Sequence, residues 1–88
     1  MNEELYEALE QELEKNHVEE DLEDVLLDLA ENIAERGIVD KEVIFKQSYG
    51  RTEVHGCGVC AEEDGDTSVL IKWVRVGKKE FEIDDYFL

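Results

Sequence analysis

The chain has 88 residues, of which 42% are hydrophobic, and a formal net charge of −16 at pH 7. Its length and hydrophobic content predict one folded domain over residues 1–88, with a modest core. So large an excess of acid disfavours direct binding to DNA, RNA or anionic lipid, because phosphate groups are bound through Lys and Arg. It favours basic partners, cations or a high-salt solvent.

The N-terminus and the cysteines indicate where the protein resides. The first ten residues, MNEELYEALE, are acidic and periodic, unlike a signal peptide, and no apolar run approaches the length of a membrane span. Two cysteines without an export signal are typical of a reducing compartment. We therefore expect a cytoplasmic protein that does not contact a membrane, located in the host cytoplasm if a phage encodes it.

Residues 1–36 carry most of the acid and predict helices. They hold fourteen Asp/Glu against two Lys/Arg, a net charge of −12. Leucines recur every four residues from Leu5 to Leu13, which predicts a helix near 3–15 that Asn2 caps.

A second apolar stripe predicts a second helix near 19–36. Its members recur at helical spacing: Leu22, Val25, Leu26, Leu29 and Ile33. Gly37 follows a cation and precedes Ile38, a pattern that predicts a Schellman cap with Ile38 as its hydrophobic contact. Because the link between the helices is short, we expect an antiparallel hairpin.

Residues 38–88 change to the two-residue period of strands. Four β-rich segments are separated by turn signals at Gly50, Asp64-Gly65 and Gly77. The segment 67–76 is apolar on both faces, with Val69, Ile71 and Trp73 on one and Leu70, Val74 and Val76 on the other. A strand of this kind is covered on both sides. We therefore expect an α+β fold, in which the helical hairpin packs on a small antiparallel barrel of four to five strands, with Trp73 mostly buried.

The same region resembles the Src-homology-3-like small barrels of the Tudor and KOW kind. The residues that carry the resemblance are Gly56, Gly58, Val59, Asp64, Gly65, Val69, Ile71, Trp73 and Leu88. It covers about the last fifty residues and implies an architecture rather than an activity. Many Tudor domains bind methylated cations in an aromatic cage. The resemblance therefore implies an adaptor for a basic or methylated peptide, with aromatics available from Tyr49, Trp73, Tyr86 and Phe87.

The segment HGCGVC, residues 55–60, permits three interpretations. Cys57 and Cys60 have the two-residue gap that lets two thiolates reach one zinc ion, and His55 or His17 could help to complete the site. Alternatively, both cysteines are small buried hydrophobic residues, since positions three apart on an ideal strand face opposite sides. Redox chemistry is the third interpretation, although reactive thiolates favour electropositive surroundings and this segment precedes a run of acid.

No catalytic motif is present in the sequence. There is no Gly-rich phosphate loop and no strand–Ser–helix elbow, and most carboxylates fall on predicted solvent faces. We therefore expect a binding protein rather than an enzyme.

The second helix carries an unmixed column of acid. The column consists of Glu20, Asp24, Asp28, Glu31 and Glu35. Like charges at this spacing repel one another. One helical turn is about 5.4 Å, so the column presents anions at a spacing comparable to that of successive phosphates on a nucleic-acid strand. The column is either a solvated surface or a surface for a basic groove.

These features favour a small acidic inhibitor. In overall character the chain resembles phage anti-CRISPR and anti-restriction proteins, which are small, single-domain and very acidic. The resemblance implies binding to a basic nucleic-acid-binding protein, such as a CRISPR nuclease, and blocking of its DNA or RNA. The column on the second helix would contact this partner, and the chain would not bind nucleic acid itself.

Overall fold

The computed structural model describes residues 3–87, which form two helices followed by four strands. The elements are α1 (Glu3–Lys15), α2 (Leu22–Arg36), β1 (Glu42–Tyr49), β2 (Thr52–Glu63), β3 (Asp66–Val76) and β4 (Lys79–Phe87). The α+β class and the order of helices before strands are confirmed. The predicted cap Asn2, and Leu88 of the barrel resemblance, lie outside the described residues.

The chain leaves α1 through a Schellman cap. His17 takes the left-handed conformation, with φ of 62°. Its N–H donates to the Glu14 carbonyl at 3.0 Å, and the Val18 N–H donates to the Leu13 carbonyl at 2.9 Å. These two bonds satisfy the last carbonyls of the helix, and the buried Val18 supplies the accompanying hydrophobic contact.

The end of α2 differs from the predicted Schellman cap. Gly37 has φ of −76° and ψ of 161°, which is extended rather than left-handed, and Ile38 is 62% exposed. Glycine is required for a different reason: a Cβ atom at Gly37 would lie 2.4 Å from the Ile33 carbonyl oxygen. The Gly37 N–H donates to that same oxygen at 2.8 Å and closes the last helical turn.

The four strands form an open antiparallel meander in the order β1-β2-β3-β4. Left-handed residues at Gly50, Asp64, Gly65 and Gly77 make the three turns, as the turn signals predicted. The predicted barrel is wrong, because closure would require β1 to pair with β4, and these strands are the two edges of the sheet. The helices cover the apolar side of the sheet, so the strands do not need to curl around a lumen.

A bulge in β3 changes which of its apolar residues share a side of the sheet. The register with β2 shifts between Ile71 and Trp73, so that Lys72 is an extra residue. Val74 and Val76 therefore join Val69 and Ile71 on the side of the helices, and all four side chains are fully buried. Trp73 turns to the other side and is intermediate in exposure. The predicted division of this strand into two faces is wrong beyond Ile71.

The sheet thus has two faces. We call the face that packs against the helices the closed face, and the opposite face, which the helices do not cover, the open face. Gly56 and Gly58 of β2 point at α2, because a Cβ atom there would lie 2.9 Å from Leu29 and 2.7 Å from Ile33, respectively. The alternate residues His55, Cys57 and Val59 consequently belong to the open face. Because Gly56 and Gly58 have no side chains on the closed face, α2 lies directly on the sheet.

Candidate partner-binding surface

The acidic column of α2 faces solvent along its whole length. Asp24, Asp28, Glu31 and Glu35 lie on α2, and all are exposed. Glu20 is also exposed, but it lies in the link between the helices, because α2 begins at Leu22 and not near residue 19 as predicted. Val25, Leu29 and Ile33, on the opposite side of the helix, are completely buried. The 3.6-residue repeat therefore separates the core from the carboxylates. We refer to these five residues as the acidic face.

The carboxylates of the helical layer are not paired with cations. Three ion pairs occur in the described part of the chain, and all lie on the sheet: Lys46–Glu53 at 3.6 Å, His55–Glu53 at 4.0 Å, and Lys72–Glu42 at 3.1 Å. The two basic residues of the helices, Lys15 and Arg36, sit in their last turns, where they favour the helix dipole.

Tyr49 joins the acidic face to the sheet. Its hydroxyl lies 2.6 Å from Gln47 Oε1 and 3.3 Å from Asp28 Oδ2. The pKa of Tyr49 is raised by burial first, then by the charge and hydrogen bond of Asp28, and further by Glu20 and Asp24. Three carboxylates of the acidic face therefore act electrostatically on one phenol. Sequence reasoning missed this contact, because it depends on α2 crossing over the end of β1.

An apolar groove opens beside the acidic face. It has a volume of about 460 Å³ and lies between α1, α2 and the end of β4. Its lining consists of Tyr6, Leu22, Leu26, Leu27 and Phe87, with Glu23 and Asp24 at the rim. Leu27 is 42% exposed. Asp24 belongs to both surfaces, so the groove and the acidic face are continuous.

One wall of this groove is fixed by a hydrogen bond. The Tyr6 hydroxyl donates to Asp85 Oδ2 at 3.0 Å, linking α1 to β4. Burial, together with this bond to a carboxylate, raises the pKa of Tyr6 to about 12. The groove was not anticipated from the sequence, because its residues come from three separate segments.

The two cysteines of the HGCGVC segment face opposite sides of the sheet. Cys60 belongs to the core cluster on the closed face. Cys57 lies on the open face, where it is fully buried, and its thiol donates to Glu42 Oε1 at 3.0 Å. Burial and this hydrogen bond raise the pKa of Cys57 to about 12. The same bond, with help from Lys72, lowers the pKa of Glu42. A thiol with a raised pKa is a poor nucleophile at neutral pH.

The four predicted zinc ligands are not brought together. Cys57 and Cys60 point apart, and His17 lies at the α1 end beside Tyr49 and Gly50. His55 is on the open face, and its Nδ1 is buried without a hydrogen-bond partner. Among residues 3–87, no three His, Cys, Asp or Glu side chains gather closely enough to hold a metal ion. The zinc site therefore stays a prediction.

The aromatic residues of the implied cage lie on two different faces. Tyr49 and Phe87 pack against the core cluster of the closed face. Trp73 and Tyr86 lie on the open face, where the Arg75 guanidinium sits 5.8 Å from the Trp73 ring centre. The four rings therefore do not enclose one site.

No family model, curated protein or solved structure matches this chain. In the part of the chain that the structure describes, no helix has the length and apolar character needed to cross a membrane.

Proposed function

We propose that this protein is an inhibitor that binds a basic nucleic-acid-binding protein and blocks its DNA or RNA, in the manner of anti-CRISPR and anti-restriction proteins. The acidic face of α2 is the contact surface. The observation that carries the proposal is that its five carboxylates are exposed, while every ion pair of the described chain lies on the sheet. The proposal involves binding alone, with no chemical step.

Unpaired like charges on one helix face have a cost in the free protein. Carboxylates one turn apart repel by a few tenths of a kcal/mol per pair, or about 0.2–0.5 kcal/mol. A groove lined with Lys and Arg relieves this repulsion on binding and also steers the encounter over distance. The acidic face therefore gains more from a basic partner than a surface whose charges are already paired.

The apolar groove gives the same partner a place to anchor. Electrostatic contacts at a rim mainly set the rate of association, whereas buried apolar or aromatic side chains supply most of the binding energy. Leu22, Leu26 and Leu27 offer such a pocket next to Asp24. The surface thus suits a partner that presents an apolar side chain flanked by Lys or Arg, as the nucleic-acid groove of a CRISPR nuclease can.

The test is a triple charge reversal with a matched control. Asp24, Asp28 and Glu31 are changed together to Lys, and the control changes Glu62, Glu63 and Asp66 to Lys, exposed residues on either side of the β2–β3 turn. Both variants alter the net charge equally, and both leave the core untouched. We measure competition between each variant and DNA for a basic nucleic-acid-binding protein, over a range of salt concentrations.

The acidic-face variant should lose competition, and the turn variant should retain most of it. Wild-type competition should weaken steeply with salt, and nucleic acid bound first should resist displacement. If both variants lose competition equally, only net charge matters and the acidic face is not the contact surface. If a folded acidic-face variant competes at full strength, the column is a solvated surface.

A further inference from the structure

The two edges of the sheet differ in how well they are protected from pairing with another chain. At the β4 edge, the register with β3 breaks between Ile71 and Trp73, and Asp84 in this break is left-handed with φ of 48°. Bulges of this kind are a usual means of blunting an edge strand. β1 pairs with β2 in one unbroken register over its whole length, and the chain contains no proline. The β1 edge is therefore the one at which a further strand can be added.

The outer edge of β1 presents backbone groups that its own sheet does not use. Tyr49 pairs with Thr52 across a two-residue turn, and the closing pair of such a hairpin is hydrogen-bonded. Hydrogen-bonded and non-hydrogen-bonded pairs alternate along an antiparallel ladder. In the described chain β1 pairs with β2 alone, so every second residue directs its N–H and C=O groups outward. These residues are Glu42, Ile44, Lys46 and Ser48.

The acidic face of α2 lies beside this edge. α1 packs over β3 and β4, whereas α2 extends over β1. Asp28 Oδ2 lies 3.3 Å from the Tyr49 hydroxyl at one end of β1, and a Cβ atom at Gly37 would lie 3.5 Å from Val43 Cγ2 at the other end. The C-terminal half of α2 thus follows β1. Every second side chain of an added strand would point to the side of the sheet that carries α2 and its carboxylates.

We propose that the outer edge of β1 binds an extended segment of the basic partner as an additional antiparallel strand, with Lys or Arg at every second position. This inference rests on the proposed inhibitor function and names the form in which the partner binds. Backbone hydrogen bonds to β1 supply affinity in this mode of recognition, and the alternate side chains supply specificity. The basic side chains lie toward the acidic face, and the side chains between them lie on the open face beside Ile44.

A second copy of this chain fits the edge less well than a basic segment. Antiparallel pairing of two β1 strands has a two-fold axis perpendicular to the sheet, which places both helical layers on the same side. The two acidic faces would then be neighbours, and their like charges would repel. A segment with Lys or Arg at alternate positions neutralises one acidic face instead.

The first test uses synthetic peptides and the unaltered protein. The probe is a capped peptide that alternates Lys and Thr over the length of β1, which is 8 residues. In the proposed arrangement the Thr N–H groups point toward β1, and the Lys N–H groups point away from it. Methylation of the Thr backbone nitrogens should weaken binding at least about tenfold in titration calorimetry, whereas methylation of the Lys backbone nitrogens should change it much less. The two methylated peptides have the same composition and charge, so attraction by charge alone predicts that they bind equally.

The second test changes the edge of the protein at one position. Lys46→Pro removes an outward N–H and should weaken binding of the unmethylated peptide at least about tenfold. Its ladder with β2 keeps its hydrogen bonds, because this N–H does not face β2. Lys46→Ala is the matched control: it removes the same charge but keeps the N–H, so it should bind the peptide at least as tightly as the wild type. Urea unfolding checks that both variants are folded, and the peptide comparison does not depend on either.

The outcomes separate this inference from the inhibitor function. Strand addition is overturned if the wild type does not bind the alternating peptide, if the two methylated peptides bind equally, or if a folded Lys46→Pro variant binds as the wild type does. In each of these cases competition with DNA through the acidic face is still observable. A wild type that sediments at twice the 10.2 kDa of one chain, with Lys46→Pro at one chain, assigns the edge to a second copy and also overturns the proposal. Failure of the inhibitor function is seen separately, as a wild type that does not compete with DNA.

Discussion

The closed and open faces belong to the same four strands, yet they are stabilised in different ways. The closed face combines glycines with fully buried aliphatic residues, so that α2 packs directly on β2. The open face combines partly exposed apolar residues with ion pairs between strands. The helices hold to the sheet by apolar contact and by the hydrogen bonds of Tyr6 and Tyr49, none of which involves a cation. This chain therefore separates the residues that make its core from those that make its surfaces.

The largest expected effect comes from breaking the closed side. Leu29 is completely buried against Gly56, so Leu29→Ala should lower the free energy of unfolding by about 2–5 kcal/mol. Leu70→Ala removes the same atoms from the open face, where Leu70 is only partly buried, and should cost much less. Urea unfolding of dilute protein measures both. Equal losses would mean that the two faces are covered to the same degree.

The periodicity of the sequence predicts this division only in part. The apolar repeats locate both helices, although α2 begins at Leu22 and not near residue 19, and the β-branched segments with their Gly turns locate all four strands. The bulge at Lys72 leaves no signature in a single sequence, because it is defined by pairing with β2. Without the bulge, the sequence of β3 predicts a strand that is covered on both faces, and this prediction favours a barrel.

The sequence likewise predicts only part of the candidate partner-binding surface. The exposure of Asp24, Asp28, Glu31 and Glu35 follows from helical spacing, and the structure agrees with it, whereas Glu20 lies before the helix. The groove beside it depends on how α1, α2 and β4 meet, which no local pattern encodes. The cysteine pair could be interpreted in several ways, since glycines on both sides of Cys57 suit either a metal loop or close helix packing.

A smaller effect, on the stability of cysteine variants, distinguishes a zinc site from packing roles for Cys57 and Cys60. Cys60→Ser places a hydroxyl in the core and should cost about 1–3 kcal/mol, whereas Cys57→Ser keeps a donor for Glu42 and should cost less than about 1 kcal/mol. If zinc links the two thiolates, both substitutions should destabilise the protein equally. A chelator should then also lower the melting temperature. Elemental analysis of protein purified without added metal completes the test: unequal losses, no response to chelator and less than one equivalent of zinc return both cysteines to packing roles.

The smallest expected effect is an alkaline loss of stability that draws on both faces. Cys57 on the open face has its pKa raised from 9.0 to about 12, and Tyr6 on the closed side from 10.0 to about 12. The unfolded chain releases these protons at the ordinary values, so the folded state holds more protons between those limits. Because the folded pKa values are raised, the contribution is complete below about pH 9 and is lost as the pH rises toward 12. The free energy of unfolding should therefore fall across this window.

Substitutions separate this effect from general repulsion at high pH. The net negative charge of the chain also favours unfolding through repulsion, so the urea midpoints are measured in high salt, which screens that repulsion. Cys57→Ala should flatten the decline, and adding Tyr6→Phe should flatten it further, because each removes a proton that folding retains. A wild-type decline that persists unchanged in the double variant would assign the alkaline sensitivity to other groups. It would also mean that the thiol–carboxylate contact of the open face and the phenol–carboxylate contact of the closed side do not retain their protons on folding.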